Sequence, residues 1–188
     1  MASRKEDIRT CAARQFRKKG YQATSMRSIA EEVGIKAASI YNHIDSKQGL
    51  LQELLLGVAH LFTEGMQTIT GMPLNAEEKL EKLIALHVRL TVEHTDAISL
   101  IASEWMHLES PAREQFIEFR NDYELEFKKI LDFGKQQGIL RDLDTEIMLF
   151  SLLSTLRWLY SWYSRNRHYD LQKLEVQMTS CLINGVKN

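Results

Sequence analysis

The apolar positions of the chain recur at helical spacing almost from end to end. Ile8, Ala12 and Phe16 stand four apart, as one face of an α-helix requires. Ser3, with Glu6 three residues on, has the form of a capping box that opens this helix. Gly20 closes it after the basic turn Arg17, Lys18 and Lys19. Thr24 and Ser25 are N-cap types for a short helix over Met26–Val33, which Gly34 ends. A third, very short helix runs from about Lys36 to His43. Asp45 and Ser46 cap a fourth that begins at Lys47. Its stripe of Leu50, Leu51, Leu54, Leu55, Val58, Leu61 and Phe62 continues until Gly71-Met72-Pro73 breaks the pattern.

Asn75 with Glu78 signals a fifth helix, on which Leu80, Leu83, Ile84, His87, Leu90 and His94 share a face. A sixth starts near Asp96 and passes through Trp105 to Leu108. Ser110-Pro111 offers an N-cap with Pro at the first helical position, and the long helix behind it ends at Gly138. Asp142 or Asp144 caps Ile147–Tyr163, which is apolar nearly all round and so expected to be buried on several sides. The last helix, from about Asp170 to Val186, carries Leu171, Leu174, Met178, Cys181 and Leu182 on one stripe. About nine helices and no convincing strand predict an all-α protein. The scarcity of breakers, two Pro and nine Gly in 188 residues, agrees.

Charge adds a direction to this picture. Residues 1–50 hold ten Lys and Arg against five Asp and Glu, whereas the remainder holds fourteen against twenty. A basic head on an acidic body suggests that the head meets an anion. Two cysteines far apart, Cys11 and Cys181, read as free thiols of a reduced cytoplasmic chain. The N-terminus lacks the apolar stretch of a signal peptide. The longest apolar segment, Ile147–Tyr163, is interrupted by Arg157 and too short for a bilayer, so no membrane association is expected.

Helices two and three, separated by Gly34-Ile35, have the spacing of a helix-turn-helix, whose second helix enters the major groove. Small residues at the front of that helix, Ala37, Ala38 and Ser39, let the backbone approach base edges. Asn42 and His43, one turn on, reach bases or phosphate. Thr24 and Ser25 at one helix N-terminus, and Ser46 with Lys47 at another, suit phosphate. Tyr41 offers a hydroxyl, and Arg27 suits a guanine edge or a phosphate.

The stretch TSMRSIAEEVGIKAASIYNHIDSKQGLL, residues 24–51, resembles the helix-turn-helix of tetracycline-repressor-type (TetR) transcriptional regulators. Thr24, Ile29, Ala30, Gly34, Ile40, Tyr41, His43, Ser46, Lys47 and Leu50 carry the likeness. Phe16 through Gly20-Tyr21 upstream also fits, so the resemblance covers about the first 55 residues. Ile44 departs from it, standing where Phe is usual, and Asn42 occupies a variable position. The resemblance implies a DNA-binding domain over residues 1–46, with the motif at about 25–44, and an effector-binding and dimerisation domain over 47–188. It implies phosphate contacts from Tyr41 and Lys47, and places Arg27, Lys36, Ala37 and Asn42 near bases. It further implies a homodimer through the last two helices, a two-fold symmetric operator on double-stranded DNA, and repression relieved by a small molecule.

A narrower likeness concerns residues 155–164, where Trp158, Tyr160, Trp162 and Tyr163 lie within six positions. They resemble the W-x-x-x-W-Y segment of regulators of fatty-acid and related catabolism, which respond to acyl-CoA thioesters. Those regulators usually carry Asn where this chain has Arg157, a residue suited instead to a CoA phosphate. His87, Trp105, Met106, Arg157, Trp158 and Trp162 are the candidate pocket residues; no other cofactor and no metal is implied. Two rival readings remain. Glu104-x-x-His107 is a single E-x-x-H, where a di-iron bundle needs two with two further Glu. No nucleophile elbow, phosphate-binding loop or C-x-x-C is present, which disfavours an enzyme. A helical adaptor that binds only protein would lack salt-dependent affinity for DNA.

Overall fold

A computed structural model describes residues 3–188. Its elements are α1 (Arg4–Lys19), α2 (Met26–Val33), a 3-10 helix (Ala37–Asn42), α3 (Lys47–Thr70), α4 (Ala76–Glu93), α5 (Thr95–Ser103), a second 3-10 turn (Trp105–His107), α6 (Ala112–Gln136), α7 (Thr145–Tyr163) and α8 (Leu171–Val186). The all-α class stands, and each expected helical segment is found. The only β pairing among the described residues is an isolated bridge between Leu140 and Lys187.

Most caps follow local chemistry. Ser3 accepts from the Glu6 amide, Ser46 from Gly49, Asp144 from Ile147 and Asp170 from Lys173. Asn75 and Glu78 form a reciprocal capping box, as do Ser25 and Ser28. Ser110 behaves otherwise: its hydroxyl donates to the Glu114 carboxylate, and α6 begins only at Ala112. The third segment is a 3-10 helix rather than an α-helix. Lys36 provides no side-chain cap, and the amides of Ser39 and His43 bond three residues back, to Lys36 and Ile40. A run of six residues leaves few i to i−4 bonds to gain, so the tighter turn is competitive.

The chain divides into two compact units. One gathers the chain through Ala59 with Asp96–Ile117, and the other gathers His60–Thr95 with Glu118–Asn188. This division differs from the boundary expected after residue 46, since the first half of α3 and a segment fifty residues further on join the head. In that unit, Ile8, Phe16, Ile29, Ile40, Leu50 and Leu55 are fully buried. Glu53 on α3 accepts from Lys5 at 2.9 Å and from Arg9 at 2.8 Å, tying α1 to α3. In the second unit α4 lies against α7 and α8. Leu80, Leu83, Phe127, Leu131, Leu152 and Leu156 head its apolar core.

The last two helices use their apolar residues differently. Leu174 is buried, and Met178 and Leu182 pack against the core, so most of the α8 stripe faces inward; only Cys181 is exposed. The face of α7 opposite Leu152, Leu156 and Leu159 is open in the single chain. Ile147, Phe150 and Trp158 stand on it at 62, 70 and 64% exposure.

Candidate nucleic-acid interface

Gly34 makes the turn between α2 and the 3-10 helix possible. Its φ of 76° lies in the left-handed region, and its amide bonds back to the carbonyls of Ala30 and Glu31. Ile40 is buried behind the turn, which fixes one side of the 3-10 helix inward. Lys36, Ala37, Ala38, Tyr41, Asn42 and His43 are consequently exposed, and Ser39 is half-buried. Two alanine methyls at the front of a solvent-facing turn let the backbone approach a partner within a few ångströms. The flanking groups are all hydrogen-bonding ones.

Arg27, on the first turn of α2, is exposed and lies 2.9 Å from Glu31, an i,i+4 pair that holds the guanidinium only weakly. Ser25 caps α2 and remains exposed. Thr24 does not fit the role expected for it. Its side chain is 2% exposed and its hydroxyl donates to the Gly20 carbonyl at 2.9 Å, so it builds the loop instead of facing a phosphate.

Lys47 is also occupied. Its Nζ donates to the carbonyls of Thr24 (2.6 Å) and Gln22 (3.2 Å) and sits 4.4 Å from the centroid of the Tyr21 ring. Desolvation holds its pKa below the ordinary lysine value. Two of its three donors anchor the loop that leads into α2.

Tyr21, marked by the sequence only as part of the family likeness, is the hub of this unit. Its hydroxyl donates to Gln48 at 2.7 Å, and Gln48 in turn donates to the His107 carbonyl at 2.9 Å. Its ring meets Phe16 edge-on at 5.2 Å and stacks on His107 at 5.5 Å. The Tyr21 amide donates to Glu104, and Arg17 pairs with Asp96 at 2.6 Å. Apart from Phe16 and Gln48, every one of these partners comes from residues 96–107. No local pattern could have revealed this, because the partners lie about eighty residues apart in sequence. The Glu104-x-x-His107 motif is thereby accounted for: the two side chains approach each other at 3.6 Å beside Tyr21. Among the described residues no group of three or more His, Cys, Asp or Glu is placed to hold a metal ion.

The six candidate pocket residues are divided between the two units. Trp105 and Met106 belong to the head unit, where Trp105 stacks on Phe116 and Met106 is exposed. Trp158 is turned about 200° around α7 from Leu156, which carries it to the open face. Arg157 pairs with Glu124, and Trp162 meets Tyr169 edge-on. Only His87 is buried. It lies in the core of the second unit with Nε2 2.8 Å from the Tyr123 hydroxyl, its ring 4.6 Å from that of Phe62. The sequence marked Phe62 only as part of the apolar stripe of α3, and did not mark Tyr123.

Comparison with known proteins agrees with the geometry. The family model described as "Bacterial regulatory proteins, tetR family" matches residues 8–54, and "Tetracyclin repressor-like, C-terminal domain" matches residues 73–186. The HTH-type transcriptional repressor KstR2 of Mycobacterium tuberculosis is 26% identical over 186 residues, covering 98% of this chain and 93% of its own. The solved structure of that ketosteroid regulator superposes with a TM-score of 0.92 at 23% identity, covering 100% of this chain and 97% of its own. The fatty acid metabolism regulator protein of Bacillus subtilis is 23% identical over 171 residues, covering 90% and 88%. AibR, solved with isovaleryl coenzyme A and operator DNA, shares the fold at a TM-score of 0.80 and 24% identity, covering 96% and 98%.

Proposed function

The chain belongs to the TetR family of bacterial regulatory proteins, and from that premise we propose that it is a homodimeric repressor released from a palindromic operator by an acyl-CoA thioester. The observation that carries the DNA-binding part is the 3-10 helix. It presents Ala37 and Ala38 outward, with Lys36, Tyr41, Asn42 and His43 around them and Arg27 on the helix before. Alanine methyls suit thymine methyls in the major groove, and Asn42 and Arg27 suit adenine and guanine edges. Lys36, Tyr41, Ser25 and the remaining donor of Lys47 suit phosphate and set register without reading sequence.

Dimerisation is supported by the open face of α7. Ile147, Phe150 and Trp158 form an apolar stripe interleaved with Ser151 and Ser154. A second copy of α7 and α8 would cover it and give two reading heads for one two-fold symmetric operator. Trp158 is thereby reassigned from the pocket to the dimer face.

The thioester assignment is supported by a relative named as a fatty acid metabolism regulator and by a structural neighbour solved with isovaleryl coenzyme A. Such a ligand acts by preferring one of two head spacings, and shifts the equilibrium only by its differential affinity for the two states. Selection of fragmented genomic DNA by the purified protein tests the first part; recovery of one shared palindrome is the expected result. Addition of acyl-CoAs to the bound operator tests the second. Failure of every acyl-CoA in a chain-length series to loosen the complex would remove the thioester and leave the regulator.

Among the described residues no helix is long and apolar enough to cross a membrane.

A further inference from the structure

The core of the second unit is built almost entirely from Leu, Ile, Val, Met and Phe. His87 of α4 and Tyr123 of α6 interrupt it, each buried and bonded to the other at 2.8 Å. Phe62 of α3 packs on both rings, at 4.6 Å and 6.0 Å between centroids. Thr91, one turn further along α4, is also buried, so α4 carries a short polar row inside an apolar core. A polar pair of this kind gains little over two apolar rings of the same shape, because its hydrogen bond replaces bonds lost from water. Small-molecule sites in proteins combine mostly apolar lining with a few converging polar groups.

The pair also has a definite chemical preference. Burial lowers the His87 pKa to about 3, with the positive field of Arg157 a lesser cause, and burial raises that of Tyr123. Both side chains are therefore neutral at physiological pH. With Nε2 as the donor within the pair, the Tyr123 O–H is free to donate outward; with Tyr123 as the donor, it is not. A neutral station that can turn one O–H outward fits a neutral acceptor.

Resting on the thioester reading above, we propose that the His87–Tyr123 pair is the station that binds the carbonyl oxygen of the effector's acyl group, through the Tyr123 O–H.

The test compares two probes of equal chain length: a straight-chain acyl-CoA, and the S-alkyl-CoA thioether that lacks only the carbonyl. Affinities are measured by titration calorimetry for the unsubstituted protein, for Tyr123→Phe and for the double variant His87→Phe/Tyr123→Phe. The double variant replaces both partners with rings of similar shape and keeps the core filled. The unsubstituted protein is expected to favour the thioester over the thioether about tenfold, the worth of one hydrogen bond. Both variants should lose that preference while binding the thioether as before. Equal loss of both probes, or an unchanged preference in a variant that melts normally, overturns the station and leaves the thioester reading intact. Binding of neither probe by the unsubstituted protein overturns both readings together.

Discussion

The two units keep their order by different means. The second is an apolar core with few polar side chains inside it, the His87–Tyr123 pair and two threonines of α4 and α5 among them. In the head, buried apolar residues are supplemented by side-chain links at its margin: Arg17 to Asp96, Tyr21 to Gln48, Gln48 to His107 and Lys47 to the Thr24 carbonyl. Apolar burial is non-directional and resists removal of any atom, whereas half-buried polar links set position at modest energy. A body that must stay intact and a head that must be held at a defined setting make different demands, and the residues follow them.

The contrast can be broken most forcefully in the body. Phe127 is fully buried there, and Phe127→Ala is expected to cost about 3–5 kcal/mol, read as a fall in denaturation midpoint at unchanged slope. Acid supplies the next largest effect. Because the folded His87 pKa lies near 3 instead of 6.5, the unfolded chain takes up a proton below pH 6.5 that the folded chain refuses. Stability attributable to this group is complete above pH 6.5 and falls by up to about 1.4 kcal/mol per pH unit on the way down to about pH 3. His87→Phe should flatten that part of the profile in urea titrations; an equally steep profile would show that other groups dominate.

Smaller effects belong to the head. Arg27→Ala should relax base preference at one operator position by about 1–3 kcal/mol, visible in a panel of single-base operator variants. Lys36→Ala should weaken all DNA sequences alike and reduce the slope of log affinity against log salt by about one, measured by salt titration of an operator and an unrelated duplex. Smallest in stability is Arg17→Ala, at about 0–1 kcal/mol, given a pair that is only about three-quarters buried. If its operator affinity nevertheless falls more than its stability, the link orders the DNA-facing surface within the head; if the two change in proportion, it is merely one more contact.

Much of the secondary structure was readable along the chain because helix signals are local. Gly34, Asn75 with Glu78, and the four-residue spacing of Ile8, Ala12 and Phe16 each act within a few residues. The exposed turn was equally legible, since exposure of Lys36, Ala37, Ala38, Tyr41, Asn42 and His43 follows from the short segment between Gly34 and Ser46. Thr24 was misjudged because an N-cap type beside an N-cap looks the same whether its hydroxyl faces water or the Gly20 carbonyl. Trp158 was misjudged because aromatic clustering says nothing about which side of a helix a core already occupies. The links from Tyr21 and Arg17 to residues 96–107 depend on tertiary folding alone, and no local signal carries them.

That last set of links bears on how such regulators can be recombined. A builder of biosensors would cut after the matched reading module at residue 54 and graft it onto a foreign sensor. Such a graft leaves behind Asp96, Glu104 and the His107 carbonyl, and with them the partners of Arg17, Tyr21 and Gln48. The transplantable piece is discontinuous: residues through 59 together with 96–117. A hybrid that carries both stretches should inherit operator choice intact, while one that carries only the first inherits a reading surface without the bracket that sets it.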